Sequence, residues 1–249
     1  MSERFQLSGR TALVTGGAKR LGRAVCEALA AHGTRIVVHY RESEFEAEDL
    51  AARIRDAGAE AWTVSADLDE LGAAEQLFDE ARSVAGAIDI LINSASIFPS
   101  DALADVSWES LTANARVNAY APFELSRKLV DQGMEGCIVN FLDTRIQDYD
   151  EAHVSYHVSK RILHKMARLC AEAYAPKVRV NAVAPGLVLP PAGKDEAYLE
   201  GLKHSNPLNS FGNEQDIADA VVYLLQARFV TGQILYVDGG RHMRGGLYG

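Results

Sequence analysis

Cysteine is scarce in this chain: Cys26, Cys137 and Cys170 are the only three among 249 residues. An odd number at such wide spacings makes neither a disulfide framework nor a thiolate metal site. Buried packing in a reducing cytoplasm fits these thiols better. Long apolar runs are also missing, and nothing approaches the ~20 residues of a membrane-crossing helix. The start, Met1-Ser2-Glu3-Arg4-Phe5, lacks the charged-then-apolar build of a signal peptide. Positive charge is in deficit, with 25 Lys and Arg against 34 Asp and Glu, a formal net charge of −9. That balance disfavours nucleic acid and anionic membranes as partners, so an anionic ligand must be held by a local cationic site. Proline numbers only seven, and no Pro/Gly/Ser linker, repeat or low-complexity stretch divides the chain.

What is present is a regular alternation. Short apolar runs, mostly β-branched, occupy Thr11–Thr15, Arg35–His39, Ala61–Val64, Ile88–Ile92, Cys137–Phe141, Val178–Val183 and Gln233–Val237. They are continuous rather than alternating, as strands buried on both faces should be. Helical patterns fall between them, at 20–32, 43–57, 70–85, 107–131, 152–174 and 213–228. This order predicts an α/β chain, a single domain over 1–249 built as a doubly wound (Rossmann-type) seven-stranded parallel sheet with helices on both faces. One long irregular connection, 187–207 with Pro190, Pro191 and Gly193, follows a strand's carboxyl end and is expected to be a substrate lid.

The first strand runs into Thr15-Gly16-Gly17-Ala18-Lys19-Arg20-Leu21-Gly22. Glycines at such a turn let the backbone approach a pyrophosphate, whose charge the following helix N-terminus favours. A plain strand–helix turn is the alternative. Lys19 and Arg20 add two cations, which suits a ligand with several phosphates. The second strand ends His39-Tyr40-Arg41-Glu42-Ser43, where an Asp or Glu would read a ribose hydroxyl. Arg41 stands first and can pair with a 2′-phosphate, which favours NADP over NAD. Glu42 argues for a ribose, and an exposed Arg41–Glu42 pair is a third reading.

Tyr156 and Lys160 stand at i and i+4, on one helical face. The ammonium can lower the phenol's pKa from its ordinary value of about 10. A surface pair of the same spacing is common. Thirteen residues upstream stands Asp143, for which a solvated loop carboxylate is the plain alternative. His153, His157 and His164 share one helical stripe, but no Cys or carboxylate joins them at ligand spacing, so no metal is expected.

Taken together, these residues resemble the short-chain dehydrogenase/reductase family along nearly the whole chain. The matches are the Thr15–Gly22 turn, Asp67-Leu68, Asn93-Ser94-Ala95-Ser96, Asn118, Tyr156-x-x-x-Lys160, Asn181 through Pro185-Gly186, and Val237-Asp238-Gly239-Gly240. Ser94 departs from the Asn common at its position, which leaves neighbouring hydrogen bonds open. Within the family the chain is most similar to the pteridine reductases, including the bacterial dihydromonapterin reductases. Arg20 in the glycine turn, the His39-Tyr40-Arg41 strand end with Ser43, Phe98 after the fourth strand, and Asp143 where the broader family has Ser carry that narrower likeness.

The resemblance implies NADPH as cofactor, bound by Gly16, Lys19, Arg20, Leu21, Gly22, His39, Tyr40, Arg41, Ser43, Asp67, Leu68, Ser94, Ala95, Ser96, Tyr156, Lys160, Pro185, Gly186 and Leu187. It implies Tyr156, Lys160, Asn118 and Asp143 as catalytic residues, with Asn118 holding a water that links Lys160 to solvent. Arg20, Phe98, Asp143 and Tyr156 would meet the substrate, Phe98 forming one face of a sandwich with the nicotinamide. Asp143 is expected to carry a proton and to act with Tyr156 on a pteridine nitrogen. The expected activity is reduction of a dihydropterin, with dihydrofolate as a further candidate substrate, to the tetrahydro form by a homo-oligomer, expected to be a tetramer, with Arg244 reaching a neighbouring subunit. A carbonyl or 3-ketoacyl-thioester reductase is the second enzyme reading. An NADP-sensing regulator without turnover is the third, and it would not need Tyr156, Lys160 and Asn118 together.

Overall fold

The computed structural model describes residues 5–146, 151–191 and 193–244. Its seven strands are β1 (Thr11–Thr15), β2 (Arg35–Tyr40), β3 (Ala61–Ser65), β4 (Ile90–Asn93), β5 (Gly136–Phe141), β6 (Val178–Pro185) and β7 (Ile234–Val237). They pair in parallel throughout, in the order β3-β2-β1-β4-β5-β6-β7. The apolar runs of β1, β4 and β5 are buried at every position, because helices cover both sheet faces. Burial of each such Val, Leu or Ile contributes about 1.5–3 kcal/mol.

One face is covered by α1 (Arg20–Ala31), α2 (Glu44–Asp56) and α8 (Glu214–Gln226), whose Val25, Leu29, Leu50, Val221 and Leu224 pack on Val14, Val38 and Ile92. The other is covered by α3 (Ala73–Ala85), α5 (Ala121–Asp131) and α6 (Val154–Tyr174), with Leu77, Phe78, Leu125 and Ala167 against Leu13, Leu91 and Ile138. The chain steps outward from β1 to β3, returns to β4 on β1's other side, and continues to β7. That reversal opens a crevice beyond the carboxyl ends of β1 and β4, the ligand position of open α/β sheets.

Three regions differ from the sequence pattern. The helix expected over 107–131 is α4 (Trp108–Ala115), a π-helical turn (Arg116–Tyr120) and α5 in succession. Ser107 caps α4, its hydroxyl accepting from the Ser110 amide at 3.0 Å. The expected irregular connection 187–207 contains α7 (Glu196–Leu202), whose Leu199 is buried, and a 3₁₀ turn (Lys203–Ser205). The helix expected from 70 begins at Ala73, because Gly72 has a φ of 82° and breaks the pattern there.

Candidate active site

The glycine turn is shaped by contacts that exclude side chains. Gly16 has a φ of 61°, and a Cβ on it would lie 2.9 Å from the Ala95 Cα. A Cβ on Gly22 would lie 2.2 Å from the Gly16 carbonyl oxygen. Close approach of turn, helix and the β4 end therefore needs glycine at both places. The Gly16 amide donates to His39 Nδ1 at 3.0 Å, and His39 Nε2 lies 3.0 Å from the Ala66 carbonyl. These two partners fix a neutral ring with its proton on Nε2. Burial pushes the His39 pKa down to about 4. His39 thus joins the ends of three strands from beneath the turn.

A cleft of about 230 Å³ lies over this turn. Gly16, Lys19, His39, Tyr40, Arg41, Ser43, Asp67, Leu68, Ala95 and Ser96 line it, so ten of the expected cofactor residues come together. Leu21, in the first turn of α1, packs behind the glycine turn into the core, and Pro185, Gly186 and Leu187 stand at the β6 end. Gly186 is pressed against the last strand's exit, since a Cβ there would lie 2.4 Å from the Asp238 Cβ. The cations are already engaged. Lys19 Nζ lies 2.6 Å from Glu46 and Arg41 Nη2 lies 3.0 Å from Glu42. Both are exposed pairs, which a phosphate can displace at small cost. Arg20 adopts a φ of 54°, a left-handed conformation that costs a non-glycine residue about 1–2 kcal/mol. Its Nη2 donates to the Pro190 carbonyl at 2.9 Å, clasping the start of the 187–207 connection to the turn.

The Ser94 departure is resolved by its neighbours. Asn93 Nδ2 donates to Asn140 Oδ1 at 2.9 Å, while the Ser94 and Ala95 amides both donate to the Thr15 hydroxyl at 3.1 Å. Thr15, which in the sequence only opens the glycine turn, thus anchors the loop after β4. Its position one residue before the glycines was the available signal.

Beyond the cleft, Tyr156, Lys160 and Asp143 converge. The Tyr156 hydroxyl donates to Asp143 Oδ2 at 3.0 Å, and the Arg145 amide donates to Asp143 Oδ1 at 2.7 Å. Asp143 is thus anchored by the backbone through one oxygen and faces the phenol with the other. Burial, and then the adjacent Asp143 charge, hold the Tyr156 pKa well above its ordinary value. Lys160 donates to the Phe141 carbonyl at 2.8 Å, and its Nζ stands 5.6 Å from the Tyr156 ring centre. Burial lowers its pKa to about 8, against the opposing pull of Asp143. So the expected lowering of the phenol by Lys160 is not what governs Tyr156 in this arrangement. Dehydration and the carboxylate outweigh it.

Asn118 sits in the π-helical turn, fully buried. Its amide nitrogen donates to the Ile97 carbonyl at 3.0 Å and to the Ser159 hydroxyl at 2.9 Å, while its oxygen accepts from the Ile97 amide at 2.9 Å. It ties the loop after β4 to the helix that bears Tyr156. π-turns recur at functional positions because one added residue re-aims a side chain. Phe98, on that loop, meets the Tyr156 ring edge-on at 4.5 Å. One of its faces is covered by the His153 ring at 3.9 Å, and 49% of the residue remains exposed. The histidine stripe thus divides: His153 backs Phe98, His157 meets Tyr156 edge-on at 5.0 Å, and His164 lies further along α6. Arg244 donates to the His204 carbonyl of its own chain at 2.5 Å.

Among the described residues no helix is long and apolar enough to cross a membrane. A family model described as enoyl-(acyl carrier protein) reductase matches residues 16–242. A short-chain type dehydrogenase/reductase of Picea abies is 32% identical, over 94% of this chain and 93% of the relative. Among solved structures, FolM alternative dihydrofolate reductase 1 from Brucella canis, complexed with NADP, is 33% identical with a TM-score of 0.89, covering 96% of each chain. The angucycline C-6 ketoreductase LanV with bound NADP is 29% identical with a TM-score of 0.88, covering 96% of this chain and 97% of its own. With the parallel sheet, the glycine turn and the Tyr156–Lys160 pair in place, the chain belongs to the short-chain dehydrogenase/reductase family.

Proposed function

We propose that this protein is an NADPH-dependent pteridine reductase, converting a 7,8-dihydropterin such as dihydromonapterin or dihydrobiopterin, and dihydrofolate as a related substrate, to the tetrahydro form. The observation that carries the reading is the triad of Phe98, Tyr156 and Asp143, with an aromatic wall 4.5 Å from the phenol and a carboxylate 3.0 Å from its oxygen. A flat heteroaromatic ring stacks on such a wall, and a carboxylate accepts the ring's N–H groups, which a carbonyl substrate does not offer. NADP bound to the FolM relative supports the cofactor.

NADPH would lie over the glycine turn and supply a hydride to a ring carbon. The chain's residues do the rest. Gly16, Gly22 and the α1 N-terminus admit and favour the pyrophosphate. Lys19 and Arg41 exchange Glu46 and Glu42 for the 2′-phosphate. Tyr156 keeps its proton at neutral pH and gives it to the ring nitrogen that gains the electron pair. The Lys160 ammonium offsets the phenolate left behind beside Asp143. The 187–207 connection, clasped by Arg20, closes the site against water.

A second reading, reduction of a carbonyl or 3-ketoacyl thioester, has its own support in the ketoreductase relative. The same phenol can protonate a carbonyl oxygen. NADPH oxidation with 7,8-dihydromonapterin, 7,8-dihydrobiopterin, dihydrofolate and an acetoacetyl thioester separates the two. Turnover of the dihydropterins is the expected result, and turnover of the thioester alone favours the second reading.

A further inference from the structure

We propose that Asp101 is a positioning residue that fixes Phe98 against Tyr156 and so sets the enzyme's preference for a flat ring. The inference rests on Tyr156 as the acid and Phe98 as the wall of the substrate slot, as read above.

Asp101 lies three residues beyond Phe98, on the connection from β4 to α4. Its Oδ1 accepts from the Ser155 amide at 3.1 Å, and its Oδ2 accepts from the Ser110 hydroxyl at 2.7 Å and from the Ser155 hydroxyl. The backbone closes the same joint. The Asp101 amide donates to the Ala152 carbonyl at 2.8 Å, and the Val154 amide donates to the Asp101 carbonyl at 3.1 Å. α6 has no capping side chain from His153, its own N-cap residue. Asp101 therefore supplies from a distant loop the oxygen that the first turn of α6 lacks. A carboxylate is favoured there by the helix dipole. Burial alone would raise the Asp101 carboxyl, but the Ser155 and Ser110 hydrogen bonds hold it below its ordinary range.

The consequence falls on the aromatic slot. Ser155 immediately precedes Tyr156, and Asp101 belongs to the segment that carries Phe98. Between them lie the Phe98–Tyr156 edge contact at 4.5 Å, the Phe98–His153 stack at 3.9 Å and a His153 Nδ1 to Pro99 carbonyl contact at 2.9 Å. Asp101 closes this ring of contacts and adds α4 to it through Ser110. Without the carboxylate, Phe98 keeps its neighbours but loses the register that holds it beside the phenol.

The test is a kinetic cycle of Asp101→Ala and Phe98→Ala with a 7,8-dihydropterin, the acetoacetyl thioester and NADPH binding measured alongside. Asp101→Ala is expected to raise the dihydropterin KM about tenfold, with kcat within about threefold and NADPH affinity unchanged. Asp101→Asn, which still accepts from the Ser155 amide, should return KM to within about threefold. In the Phe98→Ala background, Asp101→Ala should add no more than about twofold, because the two residues act through one contact. If Asp101→Ala folds poorly, Ser110→Ala removes one arm of the clamp and should raise KM about threefold. Unchanged dihydropterin kinetics in Asp101→Ala, or an undiminished effect without Phe98, overturns the clamp alone. A parent enzyme that reduces only the thioester overturns the pterin reading and the flat-ring preference with it.

Discussion

A phenol that donates to a carboxylate in a dehydrated pocket keeps its proton, and at Tyr156 burial and Asp143 act in the same direction. Lys160 is the group closer to titration, lowered by burial to about 8. Its ammonium is present below that value and lost above it. The reductive kcat/KM, which reports the free enzyme, is therefore expected to fall as pH rises through about 8. In Lys160→Arg, which cannot deprotonate in that range, the fall should vanish from whatever activity remains. A parent profile level from about pH 7 to 9.5, well past that midpoint, contradicts this role. Tyr156 and Lys160 were legible in the sequence from their spacing, and Asp143 from the family resemblance, as a carboxyl where Ser is usual. The balance among them was not, because burial is a property of the folded pocket. Asp101 left no trace either, since its partners Ser110 and Ser155 lie nine and 54 positions away.

At the scale of elements, His39 joins three strand ends, and its neutral ring is part of the glycine turn. Its pKa in the fold is about 4, below the ordinary 6.5 that it regains on unfolding. The unfolded chain thus binds the proton more readily, so this contribution is fully present above about 6.5 and is lost as pH falls through 4. The difference corresponds to about 3 kcal/mol. Urea unfolding of the parent should lose stability over that window more steeply than His39→Gln, whose amide does not titrate. Equal slopes in the two proteins contradict the buried neutral ring. The strands and principal helices were readable from apolar periodicity to within two or three residues. The π-helical turn at Arg116–Tyr120 was not, because one inserted residue leaves the apolar content of 107–131 unchanged. α7 was hidden for another reason, being seven residues long and set among prolines.

At the scale of the whole molecule, the return of the chain to β4 beside β1 brings distant segments to one rim. The Gly16 turn, the end of β2, the Ala95–Phe98 loop, Asp143 and the first turns of α6 all lie there. Their sequence order gave the family and the site's members. The pairings of Lys19 with Glu46, Arg41 with Glu42 and Arg20 with Pro190 depended on the rim being assembled. On the proposed function, Asp143 turns a general reductase site toward pterins. Steady-state turnover of 7,8-dihydromonapterin and of the acetoacetyl thioester by the parent and by Asp143→Ser, with NADPH in both, tests it most directly. Dihydropterin turnover in the parent and a loss of about 10²-fold in kcat in Asp143→Ser, with NADPH affinity retained, are the expected results. Undiminished dihydropterin turnover by Asp143→Ser with the parent's pH profile, or a parent that reduces the thioester alone, would contradict it.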